Sequence, residues 1–400
     1  MNIGLFTETY YPEINGVANS VYMLKTELER AGHNVYVFTT TTPGAPEHEY
    51  NVFRVPSLPC VFISERRVGL FYQPKLAHII RRLDLDIIHT HTEFSLGVFG
   101  RLMARELKVP VVHTYHTIYE DYTHYVNKIP LASVDERAKA FVRMFTKVCC
   151  NTVEQVIVPT KKVHELLMTY QVVKDIEVIP TGVDLSKFDS SNYTKEELLA
   201  KRKNFGILPA EKVILYLGRV SSEKNIAELL AAMPEYMEKH TDVKFLLVGD
   251  GPEREKLEKQ VKDYPHRERI IFAGQQPWDE VPAFYQLADV FVSASNSETQ
   301  GLTYIEAMAS GLPVVAREDQ CLEEILVPGE NGFTFTEQDG FLKGLDAILY
   351  GSPSDEKKAY GEKAMEVVQK YSTQAFAISM EELYGRMINY QKQGSALPIE

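Results

Sequence analysis

Residues 297–311 place two carboxylates around the start of a short helix. Glu298 follows the apolar run 288–293, which predicts a buried strand. Gly301 then opens a helix that carries Glu306 in its second turn. Backbone N–H groups at a helix start bind anions, and carboxylates accept hydrogen bonds from hydroxyl groups. A nucleotide diphosphate sugar presents both an anion and many hydroxyls, and it fits this pattern.

A basic pair follows another apolar run, 213–217. Arg219 carries a planar guanidinium that can donate two parallel hydrogen bonds to phosphate oxygens, and Lys224 carries a compact positive charge. Both suit a diphosphate leaving group. The same residues also occur in ordinary solvated turns, so the interpretation depends on the carboxylates Glu298 and Glu306.

Together, the Glu298-x7-Glu306 and Arg219-x4-Lys224 patterns resemble the donor site of the retaining glycosyltransferases of family 4, which have the GT-B fold. The resemblance implies that Glu298 contacts hydroxyls of the donor sugar and that Glu306 holds the ribose hydroxyls. It also implies that Arg219 and Lys224 meet the diphosphate. Four neighbours are assigned to the donor site in the same way: Thr299, Gln300, Gly301 and Leu302. Taken alone, the two glutamates are equally well explained as a loop carboxylate and a solvated helical one.

Three further candidates extend this site. Gly16, before the first helix, lets the backbone approach a phosphate, although Asn15 stands where the family often has another glycine. His116 ends the segment 112–117, and the resemblance implies that it reaches the donor sugar and stabilises the reacting centre. Gln276 lies in a turn that can present its backbone to the base.

No metal or other cofactor is expected. Four histidines alternate along two strand segments without a carboxylate pattern that completes a zinc site. They are His89, His91, His113 and His116. The Asp84-Leu85-Asp86 sequence precedes an apolar run and is typical of a helix-to-strand turn. The reaction implied by the resemblance is a metal-independent transfer in which the departing phosphate takes the acceptor's proton.

The composition bounds the class of protein. With 400 residues, 44% of them hydrophobic, the chain can bury large cores, and its length suggests two domains. The four cysteines lack metal-ligand spacing and fit buried thiols in a reducing cytoplasm. Neither a signal peptide nor a membrane-spanning stretch is predicted. A cytoplasmic protein, free or on a membrane surface, is expected.

Strand-like and helix-like runs alternate along the chain, which predicts parallel, doubly wound α/β sheets. The predicted strands are Ile3–Thr7, Val35–Thr39, Ile87–His91, Val111–Thr114, Val156–Pro159, Ile176–Ile179, Val213–Leu217, Lys244–Val248, Arg269–Ala273, Val290–Ser293, Pro313–Ala316 and Gly332–Phe335. We expect a GT-B fold of two Rossmann-like domains, 1–189 and 190–374, facing across a cleft. The polar segment 186–204 is the predicted linker, and a helix at about 375–395 is expected to cross back to the first domain.

The charge is distributed unevenly. The net charge is −12, and residues 1–190 hold 20 basic and 21 acidic residues, a balance of −1. The remaining 23 basic and 34 acidic residues give −11. General nucleic-acid binding is not expected, and an anionic partner would have to meet the first half.

Two segments of the first half point to the acceptor. Residues 60–82 mix aromatics with five basic residues and one acidic residue, which suits an anionic membrane surface but also an ordinary amphipathic helix with a solvated basic face. Residues 117–125 hold an aromatic cluster in which Tyr119, Asp121 and Tyr122 are candidates for acceptor binding. With residues 297–304, this segment resembles bacterial glycosyltransferases that put glucose on diacylglycerol.

The resemblance therefore implies an α-glucosyl transfer from UDP-glucose to 1,2-diacylglycerol in glycolipid biosynthesis, on the inner face of the cell membrane. Other activities stay open. The chain could transfer galactose or a second sugar to a glycolipid, or use a soluble or protein acceptor. It could also be a nucleotide-sugar epimerase or an inactive nucleotide-sugar sensor.

Overall fold

The computed structural model describes residues 1–13, 15–59, 67–69, 73–122, 132–351 and 354–394. The chain divides into two compact units. The first comprises Met1–Gly182 with Thr373–Glu400, and the second comprises Val183–Ser372.

The first unit is built on a parallel sheet with helices between its strands. The sheet strands are β1 (Asn2–Phe6), β2 (Asn34–Thr40), β3 (Val52–Val55), β6 (Ile87–Thr90), β7 (Val111–Thr114), β8 (Gln155–Val158) and β9 (Ile176–Val178), while β4 (Ser57–Pro59) and β5 (Arg67–Gly69) form a small antiparallel pair. The helices are α1 (Gly16–Arg30), α2 (Pro74–Ile80), α3 (Ser95–Leu107), α4 (Ala132–Asn151), α5 (Lys161–Thr169) and the C-terminal helix (Thr373–Lys392). Among the described residues the strand order is β3-β2-β1-β6-β7-β8-β9.

The second unit repeats this architecture. Its strands are β10 (Lys212–Leu217), β11 (Val243–Val248), β12 (Ile270–Gly274), β13 (Val290–Ser293), β14 (Val314–Arg317) and β15 (Gly332–Phe335). Its helices are α6 (Lys195–Asn204), α7 (Ile226–Lys239), α8 (Arg254–Val261), α9 (Val281–Gln286), α10 (Leu302–Ala309), α11 (Gln338–Asp346) and α12 (Ser354–Val368). The strand order, β12-β11-β10-β13-β14-β15, is that of a Rossmann-like sheet.

The predicted strands are confirmed, each to within one residue at either end. Both faces of the strands β6, β7, β8 and β13 are buried throughout, as expected for parallel sheets covered by helices. The α/β class and the pair of Rossmann-like units are therefore confirmed. In both sheets the order reverses beside the first strand, between β1 and β6 and between β10 and β13. Open α/β sheets bind ligands at the carboxyl ends of the strands at such a switch point.

The C-terminal helix belongs to the first unit. Its side chains Phe376, Met380 and Leu383 are buried in one cluster with Leu5 of β1 and Val21 of α1. The chain thus returns from the second unit to complete the core of the first, as expected for this helix.

The predicted linker is wrong. Residues 195–204 form α6, and Thr194 and Glu197 make a capping box at its start. None of the residues of α6 is buried, so its composition is that of a solvated helix, which polarity alone does not distinguish from a linker. The unit boundary lies earlier, between Gly182 and Val183.

None of the helices in the described ranges is both long and apolar enough to cross a bilayer.

Shortening a buried side chain of the C-terminal helix should destabilise the protein. Met380 is fully buried among the β1 and α1 side chains. Met380→Ala should lower the free energy of unfolding by about 2–5 kcal/mol, because it leaves a cavity in a packed core. Chemical denaturation measures the change, and Ile378→Ala, at an exposed position two residues away, is the control. Equal effects of the two substitutions would contradict the docking of this helix.

Candidate functional site

The turn after β10 presents the two basic residues of the site. The chain leaves the strand through Gly218 at a φ of +154°, and a 3-10 turn at Ser222–Lys224 leads into α7. The buried Tyr216 donates a 2.8 Å hydrogen bond from its hydroxyl to the carbonyl oxygen of Arg219. The backbone that carries Arg219 is therefore fixed from inside the core.

Glycines let a second turn pack closely against this one. A Cβ on Gly249, just after β11, would lie 1.8 Å from the carbonyl oxygen of Gly218. A Cβ on Gly251 would lie 2.3 Å from the carbonyl oxygen of Val220. The segment 248–252 is thus a strand-end turn, and its glycines are explained by backbone packing.

The loop after β13 brings a carboxylate to the same edge of the sheet. Glu298 Oε1 lies 2.6 Å from Lys224 Nζ, although the two residues are 74 positions apart in sequence. Only 14% of the Glu298 side chain and 20% of the Lys224 side chain are exposed. The structure therefore joins the two sequence patterns into one polar cluster.

Gly301 makes the sharp entry into α10. Its φ is +76°, and a Cβ there would lie 2.3 Å from Cδ2 of Tyr304. Tyr304 is itself fixed by a 3.0 Å hydrogen bond from its hydroxyl to Ser293 Oγ at the end of β13. Glycine has no side chain to cap the helix, and α10 starts without a side-chain cap, while the backbone N–H of Tyr304 donates a 3.0 Å hydrogen bond to the carbonyl oxygen of Gly301.

Glu306 is buried in the second turn of α10. Its Oε2 accepts a 2.8 Å hydrogen bond from the hydroxyl of the buried Tyr285. Burial raises the pKa of Glu306 to about 7. A carboxylate in this position is poised to accept further hydrogen bonds from a ligand's hydroxyls, which would favour its ionised form.

The remaining donor-site candidates of the second unit lie in or beside the loops that follow its strands. Gln300, before Gly301, is buried, while Thr299 is half-buried. Leu302 is the first residue of α10. Gln276 lies beyond β12, where its Nε2 donates a 2.7 Å hydrogen bond to the carbonyl oxygen of Ala273. Arg219 and Lys224 follow β10, and Glu298 and Glu306 follow β13, the two strands at the switch point, whereas Gln276 follows β12 farther along the sheet.

In the first unit, a carboxylate of the protein itself occupies the helix start at the switch point. Glu8, after β1, is buried and accepts hydrogen bonds from Ser95 Oγ, from the backbone N–H of Leu96 and from Thr92 Oγ1. The desolvation raises the pKa of Glu8 above its ordinary range. A carboxylate of the protein therefore already accepts a hydrogen bond from the start of α3, whereas the start of α10 has no side-chain cap.

Three histidines stack at the ends of β6 and β7. His91 Nδ1 lies 3.1 Å from His116 Nε2, and the rings of His89 and His91 are 3.9 Å apart. His89 is held by Tyr384 of the C-terminal helix and by Thr114, at 2.6 and 2.7 Å. Burial and the neighbouring rings lower the pKa of both His89 and His91 well below the usual range. Two neutral, buried histidines thus support the half-buried His116.

The acceptor candidates are only partly described. Tyr119 donates a hydrogen bond from its hydroxyl to Glu93, which also lies 3.3 Å from His113 Nε2. Asp121 and Tyr122 complete a 3-10 turn, but their side chains lie outside the described residues. Residues 60–66 and 70–72 of the basic segment 60–82 also lie outside the described residues.

Gly16 is the first residue of α1 and is exposed. Asn15 caps this helix, because its Oδ1 accepts a 2.9 Å hydrogen bond from the backbone N–H of Ala18. The asparagine that departs from the family's glycine thus satisfies one of the N–H groups that a phosphate would otherwise use.

Sequence reasoning missed three residues of these clusters. Glu8 and Glu93 each follow a buried strand, and Tyr285 supports Glu306 from α9. A carboxylate within two residues of the end of a predicted strand is the signal that could have identified Glu8 and Glu93. Nothing in the sequence indicates the contact of Tyr285.

The described part of the chain contains no group of three or more histidine, cysteine or acidic side chains arranged to hold a metal ion.

Two Rossmann-like units, with basic and acidic side chains following the two strands at the switch point of the second, are typical of a glycosyltransferase of the GT-B fold. Residues 14–187 match Glycosyltransferase Family 4, and residues 199–367 match Glycosyl transferases group 1. The chain belongs to glycosyltransferase family 4. It is 39% identical, over 98% of its length and 88% of the relative's, to alpha-monoglucosyldiacylglycerol synthase from Streptococcus pneumoniae.

Two other comparisons agree. An alpha-monoglucosyldiacylglycerol synthase from Acholeplasma laidlawii is 35% identical over 97% of this chain and 98% of its own. The crystal structure of Anabaena HepE in complex with UDP matches 96% of this chain and 100% of its own, with a TM-score of 0.74 and 17% identity. The latter likeness is one of fold.

The burial of Glu306 should cost stability at high pH. The folded carboxyl has a pKa of about 7 against an ordinary value of 4.5, so the folded state holds this proton more tightly and loses stability as the pH rises between these values. Glu306→Gln stays neutral and should raise the free energy of unfolding at about pH 8 by about 1–3 kcal/mol, with little gain at about pH 5. Denaturant titrations at the two pH values measure this, with Glu330→Gln at an exposed position as the control. A gain that is equal at both pH values would contradict it.

Proposed function

We propose that this protein is a retaining hexosyltransferase that moves glucose from UDP-glucose to the hydroxyl of 1,2-diacylglycerol, forming alpha-monoglucosyldiacylglycerol. The observation that carries the proposal is the 39% identity over 98% of the chain to a relative named for that product. The polar cluster at the switch point of the second unit supports the donor part, since it combines an anion-binding helix start with carboxylates that suit hydroxyls.

The proposed site contacts the donor at its diphosphate, its ribose and its sugar. Arg219, Lys224 and the first N–H groups of α10 bind the diphosphate, and Glu306 accepts hydrogen bonds from the ribose hydroxyls. Glu298 binds hydroxyls of the sugar while it remains beside Lys224, 2.6 Å away in the free protein. Thr299, Gln300, Leu302 and Gln276 of the second unit and Gly16 of the first complete the proposed donor contacts.

Catalysis is mainly electrostatic. As the bond between C1 and the diphosphate oxygen breaks, the sugar gains oxocarbenium character and the leaving group gains negative charge. Arg219, Lys224 and the α10 N–H groups stabilise that charge, each good donor contributing about 3 kcal/mol. The acceptor oxygen bonds to C1 on the same face, and its proton passes to the departing phosphate. His116 stabilises the reacting centre, and the positive side chains act in place of a divalent cation.

The acceptor reaches the first unit from the inner face of the bacterial cell membrane. Tyr119, Asp121 and Tyr122 are the proposed acceptor contacts, and the basic segment 60–82 is a proposed contact with anionic lipid. The first unit is nearly neutral whereas the second is strongly acidic, so electrostatic repulsion from such a surface is weakest at the first.

The proposal is tested by incubating the protein with radiolabelled UDP-glucose or UDP-galactose and vesicles that contain diacylglycerol and phosphatidylglycerol. Label from UDP-glucose should enter the organic phase in a product whose new bond is alpha. If only label from UDP-galactose entered the organic phase, the transferred sugar would be galactose instead of glucose. UDP release with the label left in water would overturn the lipid acceptor, and no UDP release from either donor would overturn the choice of donors.

Removing the Lys224 charge should slow the transfer itself. Lys224→Met should lower kcat by about 10²–10³, because the lost charge acts on the leaving group as it forms. Lys239→Met, which removes a lysine from an exposed ion pair with Asp346 in the same unit, is the matched control. Initial rates over a range of donor concentrations separate kcat from KM. A change confined to KM would show that Lys224 only binds the donor.

A further inference from the structure

Helix α4 carries a row of exposed apolar side chains. Phe141, Met144 and Val148 are 63, 60 and 55% exposed. Their spacing of three and four residues places them on one face of the helix. Contiguous exposed apolar surface of this kind marks a binding surface far more often than single exposed side chains do.

The loop after α5 extends this apolar face. Gln171 accepts a 2.6 Å hydrogen bond from Lys147 Nζ, and Asn151 Oδ1 accepts a 2.9 Å hydrogen bond from the backbone N–H of Val173. These contacts hold Val173, which is 79% exposed, at the C-terminal end of α4. The loop and the helix thus form one surface, with Val173 beyond Val148.

The charges around the apolar row are mainly positive. Over its length, Ala132–Asn151, the helix has four basic residues and two acidic residues, and both acidic residues precede the apolar row. Arg137 lies one turn before Phe141, and Lys147 precedes Val148. Apolar side chains flanked by cations on one helix are typical of segments that lie in the interface of an anionic bilayer.

This surface is attached to the turn that holds the proposed acceptor contacts. Arg143, next to Met144, makes two hydrogen bonds to the carboxylate of Glu120, at 2.7 and 3.0 Å. Glu120 lies in the 3-10 turn Tyr119–Tyr122. A bidentate pair of this kind fixes orientation as well as distance, so the turn is held beside the apolar row.

The two units differ in what they expose. In the described part of the chain, thirteen of the exposed large apolar side chains lie in the first unit and four in the second. The second unit is also the strongly acidic half of the sequence. An anionic partner with an apolar interior complements the first unit and is repelled by the second.

We propose that the outer face of α4, formed by Phe141, Met144 and Val148 and extended by Val173, inserts into the surface of an anionic lipid bilayer and holds the acceptor turn at that surface. The inference rests on the proposed function, because it names the surface through which a lipid acceptor is reached. It involves residues outside the basic segment 60–82.

The test compares two triple variants of the full chain. The first changes Phe141, Met144 and Val148 to serine. The matched control changes three exposed apolar residues of the second unit, Leu208, Val327 and Met365, to serine. Co-sedimentation with phosphatidylglycerol–phosphatidylcholine vesicles measures binding, and glucose transfer is measured to diacylglycerol in vesicles and to a short-chain diacylglycerol dispersed in detergent.

The α4 variant should bind vesicles at least about tenfold more weakly, a loss of about 1.4 kcal/mol. It should transfer glucose more slowly in vesicles but at an unchanged rate in detergent, and the control should match the original protein in every assay. Melting temperatures equal to that of the original protein show that the variants are folded. Binding of the original protein should also weaken with added salt, since the flanking cations contribute.

Unchanged vesicle binding by the α4 variant would overturn the inference while leaving the proposed transfer intact. Loss of self-association without loss of vesicle binding would assign the face to a second copy of the chain and would also overturn it. If the original protein binds vesicles through this face but transfers no sugar to diacylglycerol, the face stands and the proposed function fails.

Discussion

The start of a helix at a switch point carries unsatisfied N–H groups, and the two units satisfy them in different ways. In the first unit Glu8 supplies a carboxylate from within the protein, bound by Leu96 N–H and two hydroxyls. In the second unit Gly301 begins α10 without a side chain to do so. The same topology therefore places a carboxylate of the protein at the helix start in one unit and no capping side chain at the matching place in the other, although six strands of the two sheets share one order.

Two of the residues proposed to bind the donor lower the stability of the free protein. Glu306 is a buried carboxyl whose pKa burial raises to about 7, and its charged form is disfavoured until a ligand donates hydrogen bonds to it. Gly301 holds a backbone conformation that other residues rarely adopt, with the Tyr304 ring where a Cβ would be. Such features are retained where they serve binding, and the packing of Tyr304 and Tyr285 underneath keeps them in place.

The sequence predicted the strands well because parallel strands buried on both faces are continuous apolar runs. It did not predict β3 or the β4–β5 pair, which are only three or four residues long. The solvated helix α6 has the polarity of a linker, so its cap at Thr194 was overlooked. Local patterns also led to the proposed site residues Arg219, Lys224, Glu298 and Glu306. The Lys224–Glu298 contact and the contact between Tyr285 and Glu306 arise from tertiary packing, which no local pattern encodes.

A lipid acceptor requires a protein surface that can contact a bilayer, which the donor site does not provide. Diacylglycerol leaves a bilayer only at the cost of exposing its hydrocarbon chains to water, so the enzyme has to bring its acceptor site to the lipid. In the proposed function the exposed apolar row of α4 would meet the bilayer, and the Arg143–Glu120 pair would hold the acceptor turn beside it. The acidic second unit would then bind a soluble, anionic donor through Arg219, Lys224 and the start of α10. One water-soluble and one membrane-bound substrate would account for the uneven distribution of charge and apolar exposure between the units.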